Sequence, residues 1–267
     1  MNVDRFSDAV NVSVSESVAT VTLDRPARRN AWDDTLGAGM EQAFVAVASR
    51  KDVRSIVLAG EGPVFCAGAD LVAGFPVLPD GRDNLQSTLR RRFHPAFLAL
   101  LDLPQPVIAA VQGPAIGAGV CLALAADVAL MARSAYLQFR FAKIGLMPDV
   151  GATALLTSAV GRARATELLM FADPIDADTC ARLGLVSHVV DDDGVRSHAT
   201  ALARRLAAGP TRAYAGTKAA VRAWSLRAMA EQLELEAQLQ QTLVATDDWR
   251  EGRRAFQERR DPRFTGQ

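Results

Sequence analysis

The stretch Pro106–Cys121, which reads PVIAAVQGPAIGAGVC, constrains this chain more than any other. A β-branched run ends at Val111, a glycine-punctuated turn follows, and an apolar helix pattern covers Val120–Ala126. The pattern is a buried strand running into a helix whose first turn is Gly117, Ala118 and Gly119. Small residues there leave backbone N–H groups unpaired and let a ligand oxygen come close to them. Such a turn can hold negative charge on an oxygen, and that bounds the chemistry.

The 267 residues are 49% hydrophobic and 22% charged, enough to bury a core as one large domain or one domain with an appendage. Lys+Arg 30 balance Asp+Glu 30, so no charge excess favours nucleic acid or an anionic membrane as partner. Cys66, Cys121 and Cys180 are odd in number and scattered, without CxxC spacing. They argue against a disulfide framework and a zinc site, and for a reducing cytoplasm. Met1–Arg5 has no apolar run, so no signal peptide is expected. The longest apolar stretch, Pro114–Ala126, is too short to span a bilayer.

Val10–Val14 and Val18–Leu23 alternate around a Ser/Glu turn and read as a hairpin. Asp33 or Asp34 can cap a helix running to about Ser49. Ser55–Leu58, Val107–Val111, Asp127–Met131 and Leu185–Val190 read as strands. Phe75–Asn84 carries prolines, glycine and charge and reads as a mobile loop. Leu85–Leu101, Ala152–Ala159 and Arg162–Phe171 have helical spacing. From Val195 to Phe256 the chain is almost all helix former, broken at Gly209-Pro210. Strand and helix alternate first and only helices follow, which predicts an α/β core with a helical tail.

Five markers in order complete the pattern: Leu23-Asp-Arg-Pro with Asn30-Ala, Phe65-Cys-Ala-Gly-Ala-Asp-Leu71, Pro106–Gly119, Lys143-Ile-Gly-Leu-Met-Pro-Asp149 and Glu251-Gly-Arg-Arg-Ala-Phe256. Together they resemble the crotonase, or enoyl-CoA hydratase/isomerase, superfamily over nearly the whole chain. The resemblance implies a crotonase-type α/β spiral of β-β-α units with a C-terminal helical region. On that reading residues 1–194 form the core with an acyl-CoA site, and 195–267 serve oligomer contacts and closure of the CoA site. It also implies homotrimers, often paired into hexamers.

By the resemblance, the backbone N–H groups of Ala69 and Ala118 form an oxyanion hole for a thioester carbonyl. Both lie in glycine-flanked turns opening helices, where the helix dipole favours negative charge. Hydratases of the family place one glutamate at the position of Cys121 and another at that of Phe141. Neither residue here activates a water as a carboxylate does. The remaining carboxylate is Asp149, in a turn that carries the working acid in the isomerase branch. A single carboxylate suits a proton shuttle; its alternative role is to cap the helix opening near Ala152. Burial beside Phe141 would raise its pKa and a helix N-terminus would lower it.

His94 sits in Arg92-Phe-His-Pro-Ala-Phe, at a spacing similar to a histidine in the family's aromatic acyl-CoA dehalogenases. Paired with Asp149 as nucleophile, it would serve covalent chemistry, as in a dehalogenase or thioester hydrolase; otherwise it is a surface or half-buried helix histidine. The resemblance assigns CoA contacts to Arg25, Arg28, Ala67, Phe256 and Arg259. Asp70 reads as the cap of the helix after its turn. The loop Val72–Asn84 and the helix around His94 would shape the acyl pocket. No metal or redox cofactor is expected, since CoA arrives as part of the substrate. A Rossmann reading of Gly117-Ala-Gly119 lacks the full fingerprint, and no G-x-S-x-G elbow supports a serine hydrolase. The expected function is acyl-CoA processing, with isomerisation favoured over hydration; a non-catalytic acyl-CoA binding protein is the alternative.

Overall fold

The computed structural model describes residues 3–267; Met1 and Asn2, part of the stretch read against a signal peptide, lie outside the described residues. The predicted hairpin forms as β2 (Val10–Ser15) and β3 (Val18–Leu23), antiparallel with Val14 opposite Ala19. Glu16 and Ser17 turn it with φ of 52° and 60°, the left-handed pair that matches strand twist. A first strand not read from the sequence, β1 (Val3–Ser7), adds to β2.

Beyond β3 the sheet is parallel. It runs β1-β2-β3-β4-β5-β7-β10, with β4 at Ser55–Gly60, β5 at Val107–Val111, β7 at Val128–Ala132 and β10 at His188–Val190. Every residue of β4 and β5 is buried, as strands covered on both faces require. The expected strand over Leu185–Val190 shortens to β10, because the Leu185 N–H closes a turn onto Cys180 instead of entering the ladder. A second sheet, also unread in the sequence, joins β6 (Ala115–Ile116), β8 (Tyr136–Gln138) and β9 (Ile175–Asp176).

Helix α1 (Asp34–Ala48) starts as expected, with the Asp33 carboxylate accepting from the Leu36 N–H at 2.9 Å. The predicted helix from Leu85 forms as α2 (Leu85–Thr88), a π turn at Leu89–Phe93 and α3 (His94–Asp102). Next come α4 (Ala118–Ala125), α5 (Ala152–Phe171) and α6 (Ala177–Arg182). Gly161, at φ 76° and ψ 163°, divides α5 where the sequence predicted two helices. The tail holds α7 (Val195–Ala207), α8 (Thr211–Ser225), α9 (Met229–Leu243) and α10 (Asp247–Glu258). Helix α7 buries Ala199, Ala203 and Ala207, and the carbonyl of Ala203 accepts from the Ser55 hydroxyl on β4 at 2.7 Å. It is therefore a covering layer of the sheet.

The segment Phe75–Asn84, expected to be mobile, is pinned. Asp83 is buried and accepts from the Trp249 indole at 2.9 Å and from Arg253 at 3.0 Å, both on α10. The Gln241 amide of α9 donates to the Asp83 carbonyl at 3.1 Å, and the Phe75 and Trp249 rings lie 6.2 Å apart. No described helix is long and apolar enough to cross a membrane.

Candidate active site

The two glycine-rich turns meet. Ile116 donates to the Cys66 carbonyl at 2.9 Å, and a Cβ placed on Gly68 would lie 3.4 Å from the Ala118 nitrogen. At the first turn, Trp32 takes both bridging bonds, donating to the Gly68 carbonyl at 2.7 Å and accepting from the Asp70 N–H at 3.0 Å. In a parallel bridge this directs the N–H of Ala69 away from its neighbour. Ala118 opens α4, where the first amides have no intrahelical partner. Among the described residues neither amide donates a hydrogen bond.

Asn30 braces this region. It is fully buried, and its side-chain NH2 donates to the carbonyls of Glu61 at 2.9 Å and Val64 at 2.8 Å. Its side-chain oxygen accepts from the Arg25 N–H at 2.9 Å. The buried amide is thus satisfied at both ends, which explains the Asn30-Ala marker.

Asp149 lies against the same end of α4. The Cys121 thiol donates to the Asp149 backbone carbonyl at 3.5 Å. Phe141 is buried, with its ring 3.8 Å from the Cβ position of Gly117. The site residues Ala118, Cys121, Phe141 and Asp149 are thereby brought together. Burial pushes the Cys121 thiol up and keeps it neutral. Neither Cys121 nor Phe141 supplies a carboxylate to activate water.

The Asp149 carboxylate does not cap α5. The Asp149 backbone carbonyl accepts from the Ala152 N–H at 3.0 Å, and the capping carboxylate comes from α9. Buried Glu236 accepts from the N–H groups of Gly151 at 2.8 Å and Thr153 at 3.2 Å, and from the Thr153 hydroxyl. Asp149 keeps one side-chain partner, the Gln240 amide, which donates to Oδ2 at 2.7 Å. Burial raises the Asp149 pKa to about 7; the Gln240 bond opposes this and the nearby Glu236 adds to it. Desolvation outweighs the hydrogen bond, and the carboxyl is poised near neutrality. Val150, buried and β-branched, has φ 54°, and Gly151 follows at φ 76°. A β-branched residue rarely adopts that backbone, so strain sits beside the working carboxyl.

His94 is buried, which removes the reading of a surface or half-buried histidine. Its Nε2 has no partner among the described residues. Burial drives its pKa down to about 4, so the ring is neutral. No hydrogen bond among the described residues links it to Asp149.

The nucleotide-end residues separate. Arg25 is already committed: it pairs with Asp33 at 2.8 Å and Asp70 at 3.4 Å and donates to the Ala31 carbonyl. It builds the loop, with its guanidinium turned onto these groups. The Ala67 N–H is spent on the Arg29 carbonyl at 3.1 Å. Arg28, Phe256 and Arg259 are exposed, and neither arginine forms an ion pair among the described residues. Asp70 caps a turn and not a helix, accepting from Val72 at 3.1 Å and Ala73 at 3.0 Å. Sequence reasoning missed Gln232, Glu236 and Gln240. Their spacing of four puts them on one face of α9, and that face also buries Met229, Leu233 and Ala237. Polar residues at core-facing positions are the signal that could have found them.

The enoyl-CoA hydratase/isomerase family model matches residues 13–267. The chain belongs to this family. It is an enoyl-CoA hydratase/isomerase family enzyme acting on acyl-CoA, with the α/β crotonase fold. It is 43% identical over 259 residues to a probable enoyl-CoA hydratase of Rhodobacter capsulatus, covering 96% of this chain and 98% of that protein. It is 38% identical over 254 residues to the 1,2-epoxyphenylacetyl-CoA isomerase of Escherichia coli, covering 95% and 97%. An enoyl-CoA hydratase structure from Mycobacterium avium subsp. paratuberculosis superposes with a TM-score of 0.86 at 34% identity, covering 96% of this chain and 98% of that one. These relatives carry both activity names, so they do not choose between the branches.

Proposed function

We propose that this family member is an acyl-CoA isomerase of the isomerase branch, shifting a double bond or a ring, with Asp149 as its one proton carrier. The N–H groups of Ala69 and Ala118 hold the thioester oxygen as it becomes an enolate. Each donor of this kind contributes about 2.7–4 kcal/mol. Asp149 takes a proton from one carbon of the acyl chain and returns it at another. The observation that carries this reading is the buried Asp149 carboxyl, raised to about 7 where Cys121 and Phe141 offer no second acid and the neighbouring Glu236 is committed to Gly151 and Thr153. A base near neutrality is ionised often enough to accept a proton and acidic enough to release it. Hydration needs a second group to handle water, and the apolar wall of Phe141 disfavours it. The likeness to the E. coli isomerase supports the same reading.

CoA contacts from the exposed Arg28, Phe256 and Arg259 fit this reading, with the arginine fork suited to phosphate. Exposed apolar side chains on α8 (Val221, Trp224) and at the end of α5 (Met170, Phe171) support contact with further copies of the chain, and the trimer or hexamer is what the family resemblance implies. A second reading rests on His94: a neutral ring with a free nitrogen could assist water in a covalent route through Asp149. Single turnover with an aryl-CoA followed by mass spectrometry would then show an adduct on Asp149. Absence of the adduct removes that route.

Asp149→Asn is the direct test, with a 3-enoyl-CoA as substrate. Turnover is expected to fall by about 10²–10⁴-fold, with thioester binding retained. The native enzyme should also exchange α and γ protons with deuterated water. Full turnover in the variant overturns the assignment of Asp149. Binding without any exchange by the native protein points to a non-catalytic binder.

A further inference from the structure

Helix α9 grips the Asp149 segment from end to end. The Gln240 side chain accepts from the Met147 N–H at 3.3 Å and donates to the Met147 carbonyl at 2.7 Å. The same NH2 group donates to Asp149 Oδ2 at 2.7 Å. One turn earlier on the helix, Glu236 holds Gly151 and Thr153, and Gln232 donates to the Thr153 hydroxyl at 2.7 Å. The strained Val150–Gly151 pair lies between these grips. Gln240 and Glu236 are fully buried, so their bonds do not compete with water.

The two oxygens of Asp149 differ. Oδ2 is taken by Gln240. Oδ1 takes no hydrogen bond among the described residues, and it is not one of the fully enclosed unpaired atoms.

Resting on the reading of Asp149 as the proton carrier, we propose that Gln240 is its positioning residue. Gln240 locks Oδ2 and leaves Oδ1 as the oxygen that takes and returns the substrate proton. In the forward step the C–H bond breaks, its electron pair passes into the enolate, and the proton forms the Oδ1–H bond. In the return step that bond breaks and the proton joins another carbon, so Asp149 ends as it began. The groups facing this carboxyl are Gln240 and Glu236 on α9 and Cys121 on α4. Gln240 alone of these donates to the ionised form, so it holds the carboxyl pKa below where burial and Glu236 would leave it.

The test compares Gln240→Met with Gln240→Glu, using pH–rate profiles and carbon NMR titration of the Asp149 carboxyl. Q240M loses the donor. The acid limb and the NMR midpoint should move up by about one unit, which by itself lowers the ionised fraction at pH 7 roughly fivefold. Turnover on the high-pH plateau should fall about 10- to 100-fold as the carboxyl loses its fixed orientation, with KM changed less than about twofold. Q240E, when protonated, can still donate to Oδ2, and the two carboxyls would share one proton. Its turnover near the centre of the profile should recover to within about threefold of native. A new alkaline limb should appear as the introduced carboxyl ionises and the donor is lost. An unmoved midpoint in Q240M, or a Q240E profile without that limb, overturns the proposal. If Q240M fails to fold, the Q240E limb decides alone. If Asp149→Asn keeps its turnover, the reading beneath has failed; if only the Gln240 variants behave as native, this inference alone has failed.

Discussion

At the scale of single residues, Asp149 ties activity to a stability penalty. Its pKa rises from 3.8 to about 7 on folding, chiefly through burial. The folded chain therefore binds this proton more tightly than the unfolded chain does. Stability contributed by the neutral carboxyl is full below pH 4. It is lost as pH climbs toward 7 and stays lost above it. A rise of this size sets an upper bound of about 4 kcal/mol. Asp149→Asn removes the titration while its side-chain oxygen can still accept from Gln240. The variant should match native stability below pH 4 and exceed it by about 1–3 kcal/mol at pH 8. Glu236, whose pKa is also raised by burial, titrates in both proteins, and its repulsion with Asp149 adds to the difference in the same direction. Urea melts of both across pH 4 to 9 measure this, and a constant difference would contradict the burial argument. A strained, desolvated carboxyl that weakens the fold is the expected signature of a site kept for chemistry.

At the scale of elements, α10 holds the Phe75–Asn84 loop against the body. Asp83 on the loop has about 7% of its side chain exposed, while Arg253 has 35%, so the pair is only partly shielded. The Trp249 indole is the more enclosed partner: its N–H would be left buried and unsatisfied without Asp83. Asp83→Ala should cost about 2–3 kcal/mol in urea and free the loop backbone at Arg82, whose side chain is already exposed, for cleavage by trypsin. Unchanged cleavage at Arg82 would mean the loop is held by other contacts.

Local signals explain what was legible at this scale. The β2–β3 hairpin, the Asp33 cap, β5 with its glycine turn and the break at Gly161 each rest on neighbouring residues. What was missed depends on partners far apart in the chain. β8 and β9 are three and two residues long and take their identity from pairing. The loop at Phe75–Asn84 has the composition of a flexible segment and is fixed by residues 166 and 170 positions away. The site divides the same way. Asp149, Phe141 and Cys121 were visible because their turns are. Glu236 and Gln240 were hidden in a stretch read only as helix former. Arg25, read as a phosphate contact, finds its carboxylates at Asp33 and Asp70 only once the loop is folded.

At the scale of the whole molecule, one helix lacks a reason to be there in the isolated chain. None of the 15 residues of α8 is buried. Its inner side is tied down by polar bonds, with Lys218 on Asp127 at 2.8 Å and Arg222 on Asp102 at 2.7 Å. Its outer side shows Trp224 at 79% and Val221 at 60% exposure. The leucines of α9 also divide: Leu233 is buried, while Leu235 and Leu239 remain 47% and 43% exposed. A tryptophan and a valine three positions apart form one apolar ridge on a helix, and exposed ridges of this kind mark contacts between chains. An assembly in which a second copy covers this ridge accounts for it. Sedimentation of the native protein should give a trimer or a multiple of one. Trp224→Glu with Val221→Glu should shift the mass toward the monomer at micromolar concentration, while far-ultraviolet circular dichroism stays native. Burying two carboxylates against an apolar partner costs several kcal/mol, more than a few contacts on one helix can offset. A native protein that sediments as a monomer, or a double variant that assembles unchanged, would leave α8 outside the interface.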